Sequence, residues 1–353
     1  MTMNIEQIIS SYPYNARRKV FLSLSRLLEK VEGDTEGAKI NRIEKDLTRF
    51  TVKVWNKRAT KAVNNAVNGI KGSPTAKFTK KDEAKVFKAI EKAYNGIEKE
   101  VGPRIKRDTG QIYKTSQKRF AAQNKKKLKS VRKVGEDAAV TGVTFELETT
   151  AVINQMSKLH AVSIGDHYPK TLKPTITNSI QRGVFEKGLN KKNAGEFLKK
   201  ELSRKLGGKA FVESVPSGIR AQGINSVNAY HEGLSATNVT LTRNMSNIQL
   251  MNEGGVTQVE VVAVMDNRTS QICQQMNGRI FTIEQVNKYA KQVMEADSVA
   301  DLQEFGKWQR DLSGFGLKEG QKLTDSDASA RLAEAGVLVP PYHFRCRTEL
   351  HIA

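Results

Sequence analysis

Cys273 and Cys346 are the only cysteines among 353 residues, and each lies in a segment whose residue types restrict the backbone. Cys273 follows Val259-Glu260-Val261-Val262-Ala263-Val264, which reads as a buried strand, and the connecting run Asp266-Asn267-Arg268-Thr269-Ser270. Cys346 comes three residues after His343, just beyond the rigid pair Pro340-Pro341. At i and i+3, His343 and Cys346 can converge on one point, and Cys273 can add a third donor. Two thiolates and one imidazole form a set suited to zinc. A closed structural zinc site takes four ligands. Ser270 stands where a Cys-x-x-Cys knuckle would have its first cysteine, and a hydroxyl is a poor zinc ligand, which leaves Asp266, His351 or water for the fourth place. Three other readings stay open: two buried thiols acting as small hydrophobes, a Cys273–Cys346 disulfide, or two unrelated cysteines. The Cys273–His343 pair also has the types of a thiol nucleophile and its base. No oxyanion site accompanies it, and no G-x-S-x-G, G-x-x-x-x-G-K-[ST], H-E-x-x-H or EF-hand pattern occurs. No catalytic residue is assigned, and the expectation is a protein that is not an enzyme.

Asp266-x-Arg268-Thr269, the following Cys273, Asn277-Gly278-Arg279-Ile280-Phe281 and the late Pro340-Pro341-x-His343-x-x-Cys346-Arg347 together resemble the signature of phage head morphogenesis proteins, the Mu F-like minor head proteins of tailed bacteriophages. By motif order the resemblance covers roughly residues 170–352. It departs from the family twice: Ser270-Gln271-Ile272-Cys273 replaces a Cys-x-x-Cys, and Cys346-Arg347-Thr348 replaces a Cys-Arg-Cys. The resemblance implies a structural motif of Asp266, Arg268, Thr269, Gly278, Pro340, Pro341 and Arg347. It implies a structural protein of the virion head near the portal vertex, made in the host cytoplasm, with the portal protein and a major capsid or scaffold protein as partners. The alternative is a DNA-binding internal virion protein ejected with the genome.

The elements that must position these residues read as mainly α in the first half, with long helices, followed by a smaller α+β domain. The expected division is a basic helical domain over 1–165 and a Mu F-like domain over 170–353, the latter carrying a helical insertion at about 284–338. Apolar residues at helical spacing predict helices over 14–32, 37–70 and 80–101. Gly102-Pro103 is expected to stop the third, and the pattern breaks again around Gly165-Asp166-His167-Tyr168-Pro169. His160 and His167 read as ordinary surface or packing residues. Helices follow from Thr175 to Gly188, from a cap at Asn193 to Gly207-Gly208, and from Pro216 to Gly233, with His231 near an end as a capping residue.

Charge is distributed unevenly. Residues 1–140 hold 33 Lys+Arg against 15 Asp+Glu, a net of +18 out of the chain's +21. The most basic stretch, 104–133, has Asp108 as its single acid, and a helix there would set Lys114, Lys118, Lys125, Lys129 and Arg132 along one face, with Lys126 beside them. Such a face suits phosphate contact with double-stranded DNA without base readout; a solvated face or an acidic neighbouring protein is the bland counterpart. No run approaches the roughly 18–20 apolar residues of a bilayer span, so no membrane partner is expected. Met1-Thr2-Met3-Asn4-Ile5-Glu6 does not resemble a secretory signal.

Overall fold

The structure is a computed structural model and describes residues 35–125, 127, 149–207, 226–266, 269–306, 308, 332 and 336–353. The expected helix at 14–32, the part of the expected 216–233 helix before Ser226, most of the expected insertion beyond Gly306, and the residues Lys126, Lys129, Arg132 and Arg268 lie outside the described residues.

Long helices come first. α1 (Thr35–Asn68) buries Leu47, Val54, Trp55, Ala62 and Ala66 along one stripe. α2 (Lys80–Tyr94) opens on a capping box in which the Thr79 hydroxyl accepts from the Asp82 amide and Asp82 reaches back to the Thr79 amide. The chain then turns at Gly96, whose φ of 71° is a left-handed conformation suited to glycine. α3 (Ile97–Gln123) follows and runs straight through Gly102-Pro103, so the expected stop falls at Asn95–Gly96 instead. Pro103 removes one backbone donor, but Ile97, Val101, Ile105, Ile112 and Phe120 stay buried on a continuous stripe that holds the helix.

α4 (Thr149–Asp166) passes into a π-helical turn over His167–Leu172 and then into α5 (Lys173–Ile180). The break expected near 165–172 is thus a widened helical turn, which relieves the missing N–H of Pro169 without ending the helix. A second π-helical turn, Gln181–Phe185, brings Gly183 under Phe197 of α6 (Lys191–Gly207). A Cβ on Gly183 would lie 2.0 Å from Cζ of that ring. Gly183→Ala is therefore expected to cost about 1–3 kcal/mol through overpacking, read from its urea midpoint. The cap of α6 is Asn190, which accepts from the Asn193 amide at 2.9 Å; Asn193 is the capped residue, not the cap.

α7 (Val227–Glu253) is the axis of the fold. It starts at the Ser226 cap and continues through Gly233, where the sequence reading ends a helix. Gly233 through Thr242 are buried without interruption, so the glycine lies inside a buried helix rather than at a stop. His231 is wholly buried and caps nothing. A three-stranded antiparallel sheet of order β2–β1–β3 lies beyond it, built from β1 (Gln258–Val262), β2 (Ile280–Thr282) and β3 (Glu349–Ile352). Central β1 pairs Val259 with Phe281 on one side and with Ile352 on the other. α8 (Gln271–Met276) lies between β1 and β2; α9 (Ile283–Glu295) and α10 (Val299–Phe305) follow, each with a capping box.

The described residues are thus mainly α with long helices in the first half and a small sheet with helices in the second. One apolar core runs from Leu47 to Ile352 and crosses the 165–170 position without interruption. Polar contacts also cross it: Gln155 on α4 donates to the carbonyls of Val293 and Ala296. Arg119 on α3 holds Glu349 on β3 at 2.9 and 3.1 Å.

Candidate metal centre and the segments that hold it

β1 delivers the chain to a tight turn ahead of α8. The Thr269 hydroxyl accepts from the Asp266 amide at 2.7 Å and donates to the Val264 carbonyl at 2.6 Å, so Thr269 ties the strand end to the start of the helix. Ser270 is the N-cap of α8, its hydroxyl accepting from the Cys273 amide, which puts Cys273 in the first turn with its side chain buried. Gly278, at φ 79°, turns the chain back, and its amide donates to the Val261 carbonyl at 2.8 Å. Asp266, Thr269 and Gly278 are therefore the residues that place Cys273.

The second segment enters through a cis Pro340–Pro341 bond. His343 and Cys346 close a turn in which the Cys346 amide donates to the His343 carbonyl at 3.2 Å, with Arg345 in the left-handed region at φ 62°. That conformation is unfavourable for a side-chain-bearing residue. It is held by Arg345 contacts to Glu232 (2.7 Å) and the Ala229 carbonyl on α7.

α7 fixes the rest of this segment with a polar ladder. Thr240 donates to the Cys346 carbonyl. Asn244 donates to the carbonyls of Pro340 and Thr348 and accepts from the Leu350 amide at 3.0 Å. Asn247 donates to the Leu350 carbonyl at 3.1 Å. Spaced four and three apart, Thr240, Asn244 and Asn247 share one face of α7. Buried amides are stable only with partners, and here the partner is the backbone of the tail segment. The sequence reading missed these three residues; the available signal was helical spacing of Thr240, Asn244 and Asn247, obscured by the other polar residues of the same helix, such as Ser235, Asn238, Thr242 and Ser246.

The two segments meet at the cysteines. Sγ of Cys273 is 3.7 Å from Sγ of Cys346 and 3.2 Å from Nε2 of His343, and these three ligand atoms all lie within 4.8 Å of one another. Both cysteines are free, which removes the disulfide reading, and their approach removes the reading of two unrelated thiols. His343 Nδ1 donates to the Phe344 carbonyl at 2.7 Å, so in the neutral ring the Nε2 lone pair faces the two sulfurs. Bonds of 2.3 Å to sulfur and 2.0–2.1 Å to nitrogen around a tetrahedral zinc separate two sulfurs by ~3.8 Å and sulfur from nitrogen by ~3.6 Å. The residues present fit a metal ion. Asp266 and His351 do not join them: Asp266 accepts both of its 2.9 Å contacts from Nη2 of Arg347, and His351 packs against Phe120 from β3. The Ser270 hydroxyl lies 2.8 Å from His343 Nε2 and donates to it when Nδ1 carries the ring proton.

Electrostatics favour one negative charge on the thiol pair. Burial pushes the Cys346 thiol up, but the Cys273 thiol, His343, the Thr348 hydroxyl and the Tyr342 backbone outweigh it and draw it down. The hydrogen bond to Cys346 and burial both push Cys273 up. Cys346 is the side drawn towards ionisation, and Cys273 the side held protonated. A divalent cation held by Cys273, His343 and Cys346 would supply the positive charge that favours loss of the second thiol proton. The same atoms match the types of a nucleophile and base, and both sulfurs are buried, Cys273 at 4% and Cys346 at 1% exposed.

Asp266 and Arg347 tie the halves of the motif together next to the sulfurs. The carboxylate is buried while the guanidinium is half-exposed. Arg347→Ala removes the charged partner of a buried carboxylate that keeps its Thr269 contact, so a loss of about 1–2 kcal/mol in chemical denaturation is expected, reduced from the fully buried case by solvent at Arg347.

The basic residues divide. Lys114, Lys118 and Lys125 are exposed. Arg119 pairs with Glu349, and Lys127, though exposed, donates to the Ile352 carbonyl at 2.7 Å, so both reach the β3 strand. Among the described residues, no helix is long and apolar enough to cross a membrane. No family model, curated protein or solved structure matches the chain.

Proposed function

We propose that the chain is a structural minor head protein of a tailed bacteriophage, acting in head assembly near the portal vertex, with Zn²⁺ held by Cys273, His343 and Cys346. The observation that supports this reading most is the meeting of the Asp266–Cys273 and Pro340–Arg347 segments, seventy-odd residues apart in sequence, through the Asp266–Arg347 pair and the Cys–His–Cys group. Those are the two halves of the motif that resembles Mu F-like proteins. A bound zinc would tie strand end to tail and supply no reaction; the chain's own residues orient the ligands, Phe344 through its carbonyl on His343 and Thr240 through the Cys346 backbone. The portal protein, a major capsid or scaffold protein and packaged double-stranded DNA are the partners in this reading, with exposed Lys114, Lys118 and Lys125 facing acidic surfaces or phosphates.

Localisation in purified particles tests it. Labelled protein fixed at one vertex, in filled and emptied heads alike, supports the minor head role. Loss of the protein on genome release supports the ejected internal protein instead, and absence from particles overturns both.

A further inference from the structure

A groove of about 430 Å³ runs between α1 and α3 on a face remote in sequence from the metal centre. Lys39 and Arg42 line it from α1; Arg104, Arg107 and Lys114 line it from α3. On each helix the spacing is three, four or seven residues, or sums of these, so the cations face one another across the groove in successive turns. From Arg104 to Lys114 the wall is roughly 15 Å long at 1.5 Å per residue.

Two carboxylates also line the groove, and both are already engaged. Asp108, 2% exposed, accepts from Nε of Arg104 at 2.5 Å and from Nε of Arg107 at 3.2 Å. Asp46 accepts from Arg49 at 3.3 Å. Asp108 thus acts as a buried brace that fixes two guanidinium groups, and Arg104 also lies over the Phe50 ring. Arg42 and Lys114 make no ion pair among the described residues.

We propose that this groove binds the sugar–phosphate backbone of duplex DNA without reading its bases. The inference rests on the DNA contact in the function proposed above and assigns that contact to a site. Duplex DNA carries one negative charge per ~1.7 Å of axis, so a 15 Å wall meets several phosphates. Cations repeating along two rigid helices suit a regular polyanion, and fixed guanidinium groups suit phosphate oxygens. Ile43 is the only apolar side chain in the lining and no aromatic ring is present, so the groove lacks the stacking platform on which single strands are held. Exposed Lys118 and Lys125 extend the basic surface along and beyond the end of α3.

Binding of the full chain to a short labelled duplex, followed by anisotropy across a salt series, tests this. Arg42→Glu with Lys114→Glu is expected to weaken binding by at least ~10-fold at low salt and to flatten the log–log salt slope by about 2. Lys57→Glu with Lys61→Glu makes the same charge change on exposed parts of α1 outside the groove and is expected to leave binding within a factor of ~3. Arg42→Gln with Lys114→Gln replaces the reversal pair if that pair lowers the melting temperature. Equal loss in groove and control variants overturns the groove while leaving DNA contact by the chain intact. No binding by the wild type overturns the DNA contact itself. Displacement of the duplex by polyglutamate at matched charge assigns the groove to an acidic protein and overturns the proposal.

Discussion

Cys346→Ser is expected to abolish stabilisation by zinc and make the protein indifferent to chelator. In the wild type, free zinc at a thousandfold excess over its dissociation constant adds about 4.1 kcal/mol to stability, because the ion binds the folded chain alone. The ligand atoms are already gathered: the sulfurs stand 3.7 Å apart and His343 is held in the required tautomer by the Phe344 carbonyl. Serine preserves the shape of the buried cysteine but removes the soft donor that ionises. Thermal unfolding with and without EDTA, alongside metal content by mass spectrometry, reads the effect. Equal melting temperatures for wild type and variant, unmoved by chelator, would falsify a metal clasp and leave two buried thiols.

A second large effect is acid lability from a histidine cluster around Trp55. His160, His167 and His231 lie inside the helical core; the His167 and His231 rings are 5.3 and 5.6 Å from Trp55, and His167 stacks on Tyr230 at 4.2 Å. Neither ring nitrogen of His160 or His231 has a hydrogen-bond partner among the described residues. Burial lowers His160 to about 3, and burial together with His160 lowers His231 to about 3. Burial, aided by His231, also holds His167 well below its ordinary value. In the unfolded chain these groups titrate near 6.5. Between 6.5 and about 3 the unfolded state therefore binds the extra protons, and stability falls as pH falls, by about 1.4 kcal/mol per unit per histidine. At pH 4.5, His160 and His231 together cost on the order of 5 kcal/mol relative to neutral pH. Carboxylates held below their usual range in the folded state, such as Asp82, contribute acid sensitivity of the same sign, so the decisive comparison is with His160→Leu/His231→Leu. That variant is expected to lose much less stability between pH 7 and 4.5 in urea unfolding; an unchanged pH dependence would remove the cluster as its cause.

Much of the candidate site was legible because its residues are chemically rare. Two cysteines, a histidine three residues before one of them and a double proline specify a meeting point whatever lies between. Helix starts with a side-chain cap and apolar stripes were legible for the same local reason, as in the helices opening at Lys80 and Ile283. What local pattern could not give was the outcome where tertiary packing overrides it. Pro103 sits inside a helix because its neighbours Val101 and Ile105 are buried. Gly233 continues one because it lies in a buried run of that helix, and Pro169 widens a turn rather than ending it. His160 and His231 looked unremarkable, since nothing in sequence distinguishes a buried imidazole from an exposed one. Arg119 has a partner that no local pattern reveals, because Glu349 lies 230 residues away.

The polar ladder on α7 also sets an order in time. Thr240, Asn244 and Asn247 are translated about a hundred residues before the backbone groups they bind, and the central strand acquires its β3 neighbour only from residues 349–352. While the ribosome is still adding residues 260–340, three hydrogen-bonding side chains in the middle of the nascent core face an empty groove. The helical half can collect, but its last layer closes only when the tail arrives. A nascent chain stalled before Pro340 should therefore be protease-sensitive along α7 in a way the completed one is not.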